Sequence, residues 1–232
     1  MSWEGGPGRF GPDRNTVPWS VRDILVILAL VIVAFFSAIF MITALLDLLF
    51  SARPDLDRAA LADSAPVVTA LLALQWVITL AVPLTYFKIR GYPLSAFTLG
   101  FRRTRFWSAA GWLAVAIFGT LVFEAFYNAL IPRLFGEGYL PQNVPSQDVT
   151  TLYGSSAAAI VTTFVIVAVI TPVVEELFFR GIVHRGLEQA LGFGWGATFS
   201  ATVFVLAHVN YRLFPVIFLL GFVLSFLVHE AC

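Results

Sequence analysis

The sequence is short of the residues from which many functional sites are built. It has one cysteine, Cys232, in 232 residues. That excludes a disulfide framework and a cysteine-based zinc site within one chain. Cys232 is also wrongly placed for a prenylation signal, which needs its cysteine fourth from the end. Charged residues make up 12% of the chain and sum to a net charge of zero. No global basic field therefore points to nucleic acid. No convincing signal-peptide cleavage site follows the first apolar run, and no internal repeat stands out.

What is abundant is hydrocarbon. Hydrophobic residues are 59% of the chain and the mean hydropathy is +0.87. A soluble domain of this size does not carry so apolar a surface. The chain reads as all-α, a multi-pass transmembrane helical bundle. A helix needs about 20 apolar residues to cross a bilayer. Six candidate spans follow, at 24–50, 66–87, 107–131, 157–180, 195–209 and 213–228, the last two short. Residues 1–23, rich in Gly and Pro, read as a flexible tail, 24–131 as N-terminal membrane helices and 132–156 as an extracytoplasmic loop. Residues 157–232 carry the chemistry.

Basic residues set the orientation, because cytoplasmic loops are enriched in Lys and Arg. Arg9, Arg14 and Arg22 lie in the tail, and Lys88, Arg90, Arg102, Arg103 and Arg105 follow the second span. Arg180 and Arg185 close the fourth span. Only Arg53, Arg58, Arg133 and Arg212 fall on the other side. The tail and the end of span four are therefore expected in the cytoplasm, with the protein in the cell membrane.

That fourth span ends in Val173-Val174-Glu175-Glu176-Leu177-Phe178-Phe179-Arg180. A charge at the centre of a membrane helix costs about 2.5–3.5 kcal/mol on insertion scales. Such residues face a cavity or a partner. Glu176 and Arg180 stand at i and i+4 and can pair, and His184 continues their face. Glu175 lies about 100° round an α-helix from Glu176, which makes it the carboxylate for proton work. A structural ion pair at the membrane interface is the bland alternative. Further on, Phe204-Val205-Leu206-Ala207-His208 ends an apolar helix in a histidine. Taken alone, His208 reads as a helix-end side chain bonded to a carbonyl. The glycine-rich Leu191-Gly192-Phe193-Gly194-Trp195-Gly196 separates the two stretches. Antiparallel helices meeting there carry Glu175 and His208 to about 24 Å and 20 Å from the turn. At similar depth, a carboxylate and an imidazole facing one cavity can activate water. Glu124 and Asn128, also i and i+4, read as interhelical hydrogen-bonding or interfacial groups.

EExxxR, as Glu175 to Arg180, followed by FxxxH, as Phe204 to His208, resembles the CPBP intramembrane protease family. This is the CAAX-protease, Abi and Rce1-like group of glutamic-type endopeptidases. Phe179-Arg180-Gly181 and Pro215 to Gly221 add to the likeness, which covers about residues 155–227. The resemblance implies a membrane hydrolase of the CAAX prenyl protease type, with a peptide or protein substrate, lipidated or membrane-bound. It implies that Glu175 activates water, that Glu176 and Arg180 support it, and that His208 binds water or stabilises the oxyanion. It implies no cofactor with certainty. Metal-free glutamate catalysis is the reading taken, with a divalent ion such as zinc on Glu175 and His208 as the other route. The family usually carries a further helix with a second histidine. Here His229 comes too early to be its equivalent, so the site is expected to be incomplete within this sequence. Two other classes fit the same residues: a catalytically inactive membrane scaffold or bacteriocin-immunity-type protein, and a proton-coupled transporter using the buried carboxylates.

Overall fold

The computed structural model describes residues 16–55, 57, 65–95, 98–99, 106–136, 161–162, 164–208 and 213–231. Among these the regular structure is helical. Helix α1 runs Val21–Ala52, α2 Ala65–Ile89 and α3 Phe106–Phe135. A continuous helical run follows, made of a π-helical turn Phe164–Ile170, the short α4 Thr171–Glu175 and a second π-helical stretch Glu176–His184. It leads directly into α5, Arg185–His208, and α6 spans Phe214–Ala231.

Local sequence explains the boundaries. Ser20 and Asp23 form a reciprocal cap on α1: the Ser20 N–H donates to Asp23 Oδ2 at 2.8 Å, and the Asp23 N–H donates to Ser20 Oγ at 3.4 Å. This satisfies donors that the first turn leaves open. The α1 sequence then holds no Gly or Pro until Pro54. Within α5 the backbone breaks at Gly192, with φ 77 and ψ 167, a conformation that residues with a Cβ adopt at a cost. The glycine-rich turn expected between two antiparallel helices is therefore this single residue.

Three helices are long and apolar enough to cross a membrane, Val21–Ala52, Thr69–Ile89 and Ala110–Phe135. Their large side chains stay outside: Phe40 is 76% exposed and Phe118 70%. Continuous apolar surface on this scale is lipid-facing, not solvent-facing. At about 1.5 Å per residue, the 32-residue α1 is about 48 Å long and more than spans the hydrocarbon. Of the six expected spans, the first three are α1, α2 and α3. The fourth is the run ending at His184, and the last two are the second half of α5 and α6. Phe214–Leu227 is apolar but shorter than a full span. The expected loop 132–156 differs at its start, because α3 continues to Phe135. From residue 137 that loop lies outside the described residues.

The chain divides into two compact units. One comprises Met1–Ile24, Tyr92–Leu140 and Phe179–Cys232. In it α6 packs against both α5 and α3. The other comprises Leu25–Gly91 and Pro141–Phe178, in which α4 packs against α2.

Of the tail expected to be flexible through residue 23, residues 17–23 pack against the rest of their unit. Trp19 is 1% exposed and Asp23 4%. A composition rich in Gly and Pro describes residues 5–12, whereas Val17-Pro18-Trp19 is apolar and finds a partner. The Trp19 indole N–H donates to the Ile182 carbonyl at 3.0 Å and the Val17 N–H to Gln189 Oε1 at 2.6 Å. In the same unit the Tyr92 hydroxyl donates to Asp23 Oδ2 at 3.0 Å and Arg185 Nη1 to the Thr98 carbonyl at 2.7 Å. Three segments thus gather at one end: the residues before α1, those after α2, and the junction leading into α5.

Candidate active site

Pro172 occupies the start of α4 and brings no N–H to the helix ladder. Just before it, the Thr171 hydroxyl donates to the Ile166 carbonyl at 2.9 Å, five residues back. The helix is π-helical on both sides of this point. Such wide turns, with bonds from i to i+5, are rare and are frequent at functional sites. Glu175 is the last residue of α4 and Glu176 the first of the second π stretch; both are half-buried. The α-helical step of 100° per residue thus holds up to Glu176 and not along the face from Glu176 through Arg180 to His184. Both glutamates precede Arg180 along one uninterrupted helix.

Arg180 is 2% exposed. A buried guanidinium needs partners, and two elements supply them. Nη2 donates to the Gly221 carbonyl of α6 at 3.2 Å. The guanidinium carbon stands 4.5 Å from the centroid of the Phe204 ring of α5, within range of a cation–π attraction. Phe204 also meets the Phe179 ring at close to a right angle, with centroids 5.0 Å apart. The Ser200 hydroxyl donates to the Phe179 carbonyl at 3.4 Å. Gly221 permits the close approach of α6, since a Cβ there would lie 3.1 Å from Phe204 Cδ1 and 3.3 Å from the Ala201 Cα. The same carbonyl also accepts the Ser225 hydroxyl at 3.0 Å.

His208 lies one turn beyond Phe204. Its Nδ1 is 2.7 Å from the Phe204 carbonyl, and the two rings are 4.5 Å apart. A carbonyl only accepts, so Nδ1 carries the proton of that bond. In the neutral ring the lone pair then sits on Nε2. The imidazole is exposed at the end of α5.

The structure therefore brings Arg180 of one predicted motif onto Phe204 of the other and fixes His208 through Phe204. Glu175 and Glu176 belong to the other compact unit. Among the described residues no group of three His, Cys, Asp or Glu has ligand spacing for one ion. A catalytic zinc takes three protein ligands, and Glu175 and His208 offer two, so no step is derived through a metal. Residues 157–231 match the family described as type II CAAX prenyl endopeptidase Rce1-like. The matched stretch is similar to an Rce1-like domain and spans about a third of the chain. It contains α4, α5, α6 and both motifs, and α1 to α3 lie outside it. No curated protein and no solved structure matches the chain.

Sequence reasoning overlooked several residues around the Rce1-like motifs. Gly221 was noted only as part of a familiar stretch, and its carbonyl anchors Arg180. Glu188 was passed over, yet its carboxylate lies 3.3 Å from Nε2 of the fully buried His184. Their i, i+4 spacing was the available signal. Trp19 gave no local signal, because its partner is 163 residues away.

Proposed function

We propose that this protein is an intramembrane endopeptidase of the CAAX-protease type, hydrolysing a peptide bond with water activated by Glu175. The observation that supports it most is the seat of Arg180 on Phe204, which puts one residue of each motif in contact. Burying a permanent cation in a lipid-embedded bundle is costly, and its position beside the histidine helix gives that cost a use.

In this reading the Glu175 carboxylate takes a proton from water as the oxygen attacks the peptide carbonyl carbon. The carbonyl π pair moves onto oxygen. The C–N bond then breaks, and Glu175 returns its proton to the departing nitrogen. Glu176 and Arg180 hold the charge balance around Glu175. His208, with Nδ1–H committed to Phe204, offers the Nε2 lone pair to a water proton and so orients the nucleophile. Stabilising an oxyanion instead requires an N–H at Nε2, which only the imidazolium has in that geometry. The substrate is a membrane-associated peptide, with prenylated CaaX tails as the first class to try. The Lys and Arg count along the sequence supports a cytoplasmic approach.

The test is cleavage of prenylated and unprenylated peptides by the purified chain in proteoliposomes. E175Q is expected to lower kcat by about 10²–10⁴-fold, the usual contribution of a general base, with an unchanged melting temperature. Wild-type turnover in E175Q would remove Glu175 from the role. A chain that cleaves nothing, yet whose cellular effect survives E175Q, would be the inactive scaffold instead.

A further inference from the structure

The segment ahead of the first span makes an unusual set of contacts for a tail. It engages successive turns of the helix that follows the EExxxR motif. Trp19 reaches the carbonyl of Ile182, Val17 reaches the side chain of Gln189, and Trp19 and Ile24 close over Gly186. The fit at Gly186 leaves no room for a side chain, since a Cβ there would lie 2.8 Å from Trp19 Cδ1 and would also meet Ile24 Cδ1. Trp19 and Ile24 are each 1% exposed and Ile182 is equally buried. The segment is held in turn by its own cap and by Tyr92 on Asp23.

The place of contact matters. The π-helical stretch ends at His184 and α5 begins at Arg185. There the bonding register changes from i+5 to i+4, and a carbonyl near the junction loses its usual helix donor. Ile182 is at that junction, and the buried indole N–H donates to it. Losing a buried hydrogen bond is costly, so removing this donor favours regular α-helix or fraying. Either change rotates the residues just upstream, and Arg180 is two positions away.

We propose that Val17–Ile24 is a strap that holds the π-to-α junction, and that Trp19 is a positioning residue for Arg180. The strap sets the phase of the motif helix against α5, so that the guanidinium meets Phe204 and the Gly221 carbonyl. The activity part of this inference rests on the endopeptidase reading; the structural part does not.

The experiment uses the full chain in lipid nanodiscs with W19F, which keeps a ring and removes the N–H, and Q189L, which removes the acceptor for Val17. Hydrogen–deuterium exchange is followed in peptides covering 178–190 and, as reference, 214–227. Cleavage of a prenylated peptide is measured in parallel. W19F is expected to raise exchange in 178–190 by about tenfold, the scale of one lost buried hydrogen bond, with 214–227 unchanged. It is expected to lower kcat by a similar factor at constant KM, and Q189L to act in the same direction more weakly. Unchanged exchange in 178–190 overturns the strap. A uniform rise in both regions also overturns it, because that is general destabilisation. A lower kcat with a matching rise in KM overturns the positioning role. If the wild type cleaves nothing, the endopeptidase reading fails and the exchange arm alone decides the strap.

Discussion

Arg180 concentrates the physics of the site in one side chain. Its charge is permanent at any accessible pH, it is buried, and its named partners are a ring face and a backbone carbonyl on two different helices. F204L keeps the apolar volume and deletes the π face. The expected loss is about 0.5–2 kcal/mol of stability, the range of a desolvated cation–π contact, read by thermal unfolding in detergent. R180A is expected to be worse in function than in insertion: cleavage lost, membrane fraction retained. A contrasting pair sits at the end of α1, where Arg53 and Asp55 bond at 2.8 Å, both exposed. Asp55 is held below the usual carboxylate range, first by Arg53, and Arg53 is raised, first by Asp55. A depressed carboxylate pKa contributes stability at neutral pH that is lost as pH falls through the folded-state value. Here solvent screens it, so D55N is expected to leave the melting temperature unchanged between pH 4 and pH 7. The motif residues were legible because Glu175, Glu176 and Arg180 are charges inside hydrocarbon, which sequence exposes at once. Their partners were not, because Phe204, Gly221 and Trp19 look like ordinary membrane residues until the helices are assembled.

Among the elements, the contact of α6 with α5 depends on an absent side chain. A Cβ on Gly221 would press on Phe204 and Ala201 from 3.1 and 3.3 Å, so a shift of a few tenths of an ångström would be required. G221A is expected to cost about 1–3 kcal/mol, the usual range of overpacking, and G221V to separate α6 from α5 and withdraw the carbonyl from Arg180. Unfolding in detergent and cleavage rate together check this: G221V loses activity, whereas S225A, which removes only a second donor to the same carbonyl, keeps most of it. The helices themselves were legible from apolar run length, and the break between the two motif helices from the glycines around Gly192. Helix type was not legible. Nothing in Thr171-Pro172-Val173-Val174 announces π turns on either side, and the 100° step assumed for residues 176 to 184 belongs to an α-helix. The π stretch is a tertiary outcome, held by contacts such as Trp19 on Ile182 that local spacing does not encode.

For the whole molecule, we propose a sidedness from the charge count and from which segments touch. Lys and Arg counting groups the tail, the segment after α2 and the end of the motif helix on one side. The hydrogen bonds of Trp19, Tyr92 and Arg185 tie those same segments together. Charge bias and packing are independent lines of reasoning, one about insertion and one about the folded state. The thirty residues of α3 extend about 45 Å, so its far end must emerge on the opposite face if it spans. Single cysteines in a C232S background test this in sealed, inside-out vesicles with an impermeant maleimide. T16C and L94C are expected to react from the cytoplasmic face, and R133C only after the membrane is opened. Reaction of T16C and L94C from different faces would contradict the packing itself. Reaction of both from the outer face would instead keep the packing and invert the protein, turning the Arg185 end and any substrate approach away from the cytoplasm. The two outcomes therefore separate an error in the fold from an error in the function.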